Sequence, residues 1–203
     1  MKILITAFDP FGGEPVNASA EVTARLTAPP GCLLLTETLP TSFDRAAPAV
    51  IARIAATSPD AVVCLGEAAG RREITPERVA INLVDARIPD NDGVCPKDRP
   101  VVEGGPAAYF STLPLRRMEE AIRAAGVPAA LSATAGTFVC NALMYEVLHY
   151  AARFWPDRPA GFLHVPCLPE QGARRGCPSL PLPDAVRGVQ AAVNALAVFL
   201  IQS

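Results

Sequence analysis

The chain has 203 residues, half of them hydrophobic and 19% charged, with a formal net charge of −2. That length and apolar content exclude a disordered chain and predict one α/β domain over residues 1–203, with its sheet buried on both faces. The slightly negative balance leaves no basic footprint, which argues against nucleic acid as a partner.

Residues 2–7 read as a first strand. Lys2-Ile3-Leu4-Ile5-Thr6-Ala7 is too short for the apolar core of a secretory signal and runs straight into Asp9-Pro10. The apolar stretch 195–201 is too short to span a bilayer, so a cytoplasmic protein with no membrane association is expected. Phe8 and Phe11 stand three apart in a Pro/Gly-rich loop after the first strand. Asn17 is placed to cap a helix running to about residue 27. Residues 32–39 predict a strand, 44–56 a helix, 61–65 a short buried strand bounded by Gly66, and 78–83 another strand.

A polar loop follows over 85–105, rich in Asp, Pro and Gly and long enough to suggest a functional role. Residues 109–113 predict a strand, 115–125 a helix stopped by Gly126, 129–135 a strand, 140–154 a helix and 160–165 a strand closed by Pro166. In a last helix beginning near Asp184, Val186, Val189, Val193, Leu196 and Leu200 share one core-packing face. Alternating β and α elements predict a three-layer αβα sandwich around a mostly parallel twisted sheet. Active sites in such folds gather beyond the carboxyl ends of the strands. The loop after Ala7, the stretch before Cys140 and the segment around His164 all qualify.

The six cysteines form no C-x-x-C pair, and Cys32 and Cys64, among Leu and Val, read as structural. Cys140 differs because it heads a helical pattern directly after a predicted strand. A thiol there meets the positive end of the helix dipole and unpaired backbone N–H groups, which favour thiolate. Position alone balances that reading against an inert buried cysteine.

A thiol nucleophile needs a base. The chain has two histidines. His149, nine residues along the same predicted helix, would sit about 13 Å from Cys140 along the axis and cannot reach it. His164 ends a strand at the edge where helix starts gather, so it can. Among 20 acidic residues Glu77 stands out: period-two alternation places it on the side of Val79 and Ile81, and a carboxylate on an apolar side needs a partner. Either an arginine or a histidine would satisfy it.

Five segments, in order, resemble the pyroglutamyl peptidase I (pyrrolidone-carboxylate peptidase) family of cysteine exopeptidases. They are Thr6-Ala7-Phe8-Asp9-Pro10-Phe11-Gly12-Gly13; Gly66 through Asn82; Asp85-Ala86-Arg87-Ile88-Pro89-Asp90-Asn91; Ala135-Gly136-Thr137-Phe138-Val139-Cys140-Asn141; and Gly161-Phe162-Leu163-His164-Val165-Pro166 followed by Leu168-Pro169-Glu170-Gln171. The resemblance implies Cys140 as nucleophile, His164 as general base and acid, Glu77 as its orienter, and an oxyanion site from the Cys140 N–H and Arg87. It implies that Phe8, Phe11 and Phe138 wall a pyroglutamyl ring, with Asn17 and the Val139 backbone on its polar edge. It further implies peptides bearing N-terminal pyroglutamate as substrates, no cofactor or metal, and a homo-oligomer, a homotetramer by the family's habit.

Three positions depart from the family pattern: Ala7 for Gly, Glu67 for Gln and Cys167 for Tyr. Glu67 bears on the substrate-binding set because a carboxylate beside a neutral lactam would accept its N–H and repel other acceptors. A cysteine amidohydrolase acting on another small amide, and a catalytically silent binding homologue, stand as alternatives. A nucleotide-binding module fails for want of G-x-G-x-x-G or G-K-[ST].

Overall fold

The computed structural model describes residues 1–202. Along the chain its elements are β1 (Lys2–Phe8), α1 (Ala18–Thr23), β2 (Leu33–Leu39), α2 (Ala46–Thr57), β3 (Ala61–Glu67), β4 (Thr75–Pro76), β5 (Val79–Ile81) and β6 (Ala108–Phe110). Then come α3 (Leu115–Ala124), α4 (Val139–Phe154), β7 (Ala160–Val165), α5 (Pro169–Arg175) and α6 (Leu182–Gln202). The central sheet has the order β2-β1-β3-β7-β4, all parallel except β4, which runs antiparallel to β7. β5 and β6 form a separate antiparallel pair.

Strand alternation divides the apolar residues between two cores. Leu4 and Phe8 of β1, Val62 and Cys64 of β3, and Ala160 and Phe162 of β7 face one core with residues of α2 and α4. Ile3, Ile5, Ala61, Val63, Leu65, Leu163 and Val165 face the other, under α1, α3 and α6. Helices therefore cover both faces of a mostly parallel sheet, the three-layer arrangement expected from the β/α alternation.

Several elements differ from their sequence expectations. Phe8 belongs to β1 and is buried in the core rather than standing in the following loop. Asn17 does cap α1, but the helix ends at Thr23 instead of near 27. Residues 129–135 form no continuous strand; they run beside β4 through isolated bridges, Ile74 to Ala129 and Glu77 to Ser132. The cause is local: Ser132 Oγ donates to Thr134 O and accepts from Thr134 N, and Thr134 Oγ1 accepts from Gly136 N, a series of hydroxyl turns that competes with a ladder. The expected alternation from Glu77 to Val79 and Ile81 also breaks. The chain leaves the main sheet at Pro76 and enters the second sheet at Val79, so Glu77 and Ala80 are buried while Val79 and Ile81 are half-buried.

α6 is one continuous 21-residue helix, long and apolar enough to cross a membrane by length and composition. The seven-residue stretch 195–201 understated it. In this fold its buried stripe, including Gly188, Val189, Val193 and Leu196, packs into the second core. A Cβ on Gly188 would lie 2.5 Å from Ile74 Cδ1, so the glycine lets α6 pack closely on the Ile74 side chain, just before β4.

Candidate active site

His164 lies on the same face of β7 as Ala160 and Phe162, four and two residues before it, and so points towards α4. Its register partner on β3 is Gly66. A Cβ built on Gly66 would lie 2.7 Å from Phe162 Cζ and 3.0 Å from Cys140 Sγ. The absent side chain is thus the space through which the thiol, on the second residue of α4, descends onto the sheet beside His164. Strand alternation, one glycine and a helix start bring the two together. They are not hydrogen-bonded to one another among the described residues; the imidazole bonds to Glu77 instead.

Glu77 Oε1 accepts from His164 Nδ1 at 2.8 Å and also from Arg71 Nη1, and the Glu77 side chain is fully buried. Burial works to raise the Glu77 pKa, but the His164 bond and charge, the Ser132 hydroxyl and Arg71 outweigh it and hold the carboxyl below its ordinary 4.5. An ionised carboxylate only accepts, so Nδ1 carries the proton and Nε2 presents a lone pair. Burial lowers the His164 pKa below 6.5; Glu77 opposes this and Arg71 adds to it. Burial pushes the Cys140 thiol up to about 12, with Glu77 adding and Arg71 opposing. At neutral pH the pair is a thiol beside a neutral imidazole. Burial thus opposes the thiolate character that the helix start favours.

Ala142 is the first α4 residue whose N–H reaches the start of the helix, at Phe138 O (3.1 Å). The N–H groups of Val139 and Cys140 precede it and have no protein acceptor among the described residues, as the first turn of a helix requires. They are free donors at the helix start that carries the sulfur.

Phe8, Phe11, Asn17, Glu67, Phe138, Val139 and Cys140 all line one narrow cleft, nearly closed at ≈ 10 Å³, joined by Thr41, which the sequence did not single out. Phe138 packs against Phe11 at 6.2 Å and edge-on against Phe43 at 5.2 Å. Asn17 is largely committed to the scaffold: Oδ1 accepts from the Ser19 N–H and hydroxyl, and Nδ2 donates to Asp9 O. One amide hydrogen remains for a ligand.

The Glu67 carboxylate turns away from the aromatic walls. Glu67 continues the alternation of Val63 and Leu65 onto the opposite face of β3, where it accepts from Ala18 N, Gln171 Nε2, Arg175 Nη1 and the Cys167 thiol. Two of the three departures from the family pattern, Glu67 and Cys167, thus contact one another and share Arg175. Replacing Glu67 with Gln leaves Arg175 short of a buried anion and is expected to cost about 1–3 kcal/mol of stability, measurable by equilibrium urea unfolding.

Arg87 is exposed, lines no part of the cleft and bonds to none of the other site side chains among the described residues. Its loop is nevertheless pinned around the site. Asp85 exchanges bonds with Thr137, buried Asp90 accepts from the backbone N–H groups of Phe43, Asp92 and Val94, and Asn91 Nδ2 donates to Asp9 Oδ1 and Pro10 O. His149, set aside on distance, is occupied by Tyr109 OH at 2.8 Å and by Arg153. Asn141, beside the thiol, was missed: its buried amide bonds to Ile81 N, Ile81 O and Leu83 O and holds β5 against α4. Arg71 was missed by name; the requirement that a buried Glu77 find a cation, in a segment containing Gly70-Arg71-Arg72, was the available signal.

Residues 1–198 match the family model described as pyroglutamyl peptidase. The chain is 51% identical over 198 residues to a pyrrolidone-carboxylate peptidase of Streptococcus suis, covering 97% of this chain and 92% of that one. It is 50% identical over 200 residues to that of Levilactobacillus brevis, covering 98% of each. Its fold superposes on the crystal structure of pyroglutamyl peptidase I from Bacillus amyloliquefaciens with a TM-score of 0.94 at 45% identity, over 97% of this chain and 95% of that one. A pyrrolidone carboxyl peptidase structure from Pyrococcus furiosus matches with a TM-score of 0.94 at 35% identity, over 98% and 100%.

Proposed function

This chain belongs to the pyroglutamyl peptidase family, and on that premise we propose that it is a cysteine exopeptidase that removes N-terminal pyroglutamate from peptides, with Cys140, His164 and Glu77 as its triad. The observation that carries the reading is a single small cleft, walled by Phe8, Phe11 and Phe138, that ends on a thiol at a helix start. Pyroglutamate is a flat, neutral lactam without an α-amine. Aromatic walls and a few fixed donors suit it, and no counter-charge is needed. Because the Glu67 carboxylate is turned onto the other face of β3, it presents no charge to the ring.

In the first step the Cys140 S–H proton passes to His164 Nε2 as sulfur bonds to the pyroglutamyl carbonyl carbon. The oxyanion forms against the Cys140 N–H, where one donor is worth roughly 3 kcal/mol to the transition state. Arg87 is assigned as the second donor by sequence resemblance, turning in from the exposed rim of the 85–91 segment. The imidazolium then gives its proton to the leaving amine, the C–N bond breaks and a thioester remains. Water, deprotonated by the same Nε2, adds to the thioester; collapse returns the proton to sulfur and releases pyroglutamate. Glu77 holds the Nδ1–H tautomer throughout.

The same reading takes residues 1–203 as one catalytic domain working in the cytoplasm as a homo-oligomer, a homotetramer by family resemblance, without nucleic acid or membrane as partners. The test is release of a chromophore from a pyroglutamyl amide, beside prolyl and glutaminyl amides. Release from the pyroglutamyl amide alone is expected. Turnover of the glutaminyl amide instead would favour the amidohydrolase alternative.

A further inference from the structure

Arg71 sits in the turn after β3, six residues before Glu77, with three-quarters of its side chain covered. Nη1 donates to both Glu77 Oε1 and Thr75 Oγ1, and Nη2 donates to Thr134 O at 2.8 Å. One planar guanidinium therefore joins β4, the acid and the segment that leads into the nucleophile helix. The oxygen it takes on Glu77 is the one that accepts from His164, while Glu77 Oε2 is buried and makes no hydrogen bond, the nearby Ser132 hydroxyl donating instead to Thr134 O. A carboxylate held through one oxygen can rotate. A rigid fork anchored at Thr75 and Thr134 determines which oxygen faces the histidine, as a flexible lysine would not.

We infer that Arg71 is a positioning residue for the reaction: its fork, anchored at Thr75 and Thr134, fixes Glu77 Oε1 on His164 Nδ1. The inference rests on the triad reading above. Arg71 touches none of the reacting atoms and acts through Glu77. The charged or titratable groups that face His164 are Glu77 from the β4 side, Arg71 from the turn after β3 and the Cys140 thiol from α4. Arg71 disfavours the imidazolium by charge repulsion, so its removal raises the His164 pKa and moves the acid limb of kcat/KM to higher pH.

The experiment follows Arg71→Met and Arg71→Lys on a chromogenic pyroglutamyl amide across the acid limb, with Cys140→Ala and His164→Gln in parallel. Arg71→Met is expected to lose about 10²-fold in kcat with KM within about threefold, and to shift the acid limb upward. Arg71→Lys keeps the charge and the wild-type limb but loses the fork, with kcat down about tenfold. A folded Arg71→Met with wild-type kcat, with its loss confined to KM, or with an unmoved limb overturns the inference. Should Arg71→Met not fold, Arg71→Lys decides: reduced kcat on an unmoved limb supports it and full kcat overturns it. If Cys140→Ala or His164→Gln stays active, the triad reading itself falls. If both are inactive while Arg71→Met is fully active, only the role of Arg71 falls.

Discussion

Cys140→Ala is expected to lower kcat on a pyroglutamyl amide by about 10⁵–10⁶-fold, the scale on which removal of a triad nucleophile acts. Its folding stability should stay within about 1 kcal/mol of wild type, because a half-buried thiol is replaced by a smaller group that keeps the helix start. Circular dichroism and urea unfolding separate the two effects. Cys140→Ser is the sharper variant. Its hydroxyl occupies the same space over Gly66 but is a far weaker acid and a poorer nucleophile. With the wild-type thiol already pushed up to about 12 by burial, proton removal by His164 is part of the attack, and a hydroxyl asks more of that base than imidazole can give. Loss of at least about 10³-fold is expected. A serine variant with wild-type kcat would remove Cys140 from the nucleophile's role.

The parts of this site that follow from periodicity and elimination were legible in the sequence. His164 was picked because His149 lay too far along the helix, and β7 places it on the α4 face by the same alternation that buries Ala160 and Phe162. The aromatic cleft was legible only through family resemblance, since nothing in Phe8-Asp9-Pro10-Phe11 alone reveals that Phe138, more than a hundred residues away, meets Phe11. Glu67 shows how a boundary error spreads. Ending β3 at Leu65 left the direction of its side chain open, whereas a strand running through Gly66 to Glu67 sends the carboxylate to the face opposite the thiol. The choice between arginine and histidine as the partner of Glu77 had no answer as posed. A carboxylate oxygen has room for two donors, and Oε1 takes both. What the sequence could not supply was any contact made by a loop: Asp90, Asn91 and Thr41 act through backbone groups whose positions depend on the whole fold.

Glu77→Gln is expected to cost about 10³–10⁴-fold in kcat with the protein still folded. The amide can donate to Nδ1, which would place the imidazole proton on Nε2 and leave no lone pair for the thiol. It also leaves Arg71 facing a neutral group. The pH dependence distinguishes this from simple loss of packing. Wild-type activity requires neutral His164, whose folded pKa lies below 6.5 through burial, so the acid limb of kcat/KM falls below pH 6.5. Glu77 favours the imidazolium, so its neutralisation moves the limb lower still, opposite in direction to the shift expected for Arg71→Met. Stability obeys the same signs. A group whose folded pKa is depressed stabilises the fold above its unfolded value and loses that contribution as pH falls through the folded pKa. In the wild type the His164 contribution begins to fade below about pH 6.5 and that of Glu77 below about 4.5. In Glu77→Gln the second loss disappears, so its stability deficit narrows at the most acid pH. A deficit constant across pH would mean that Glu77 contributes shape alone, and the carboxylate would then have no part in setting the charge of His164.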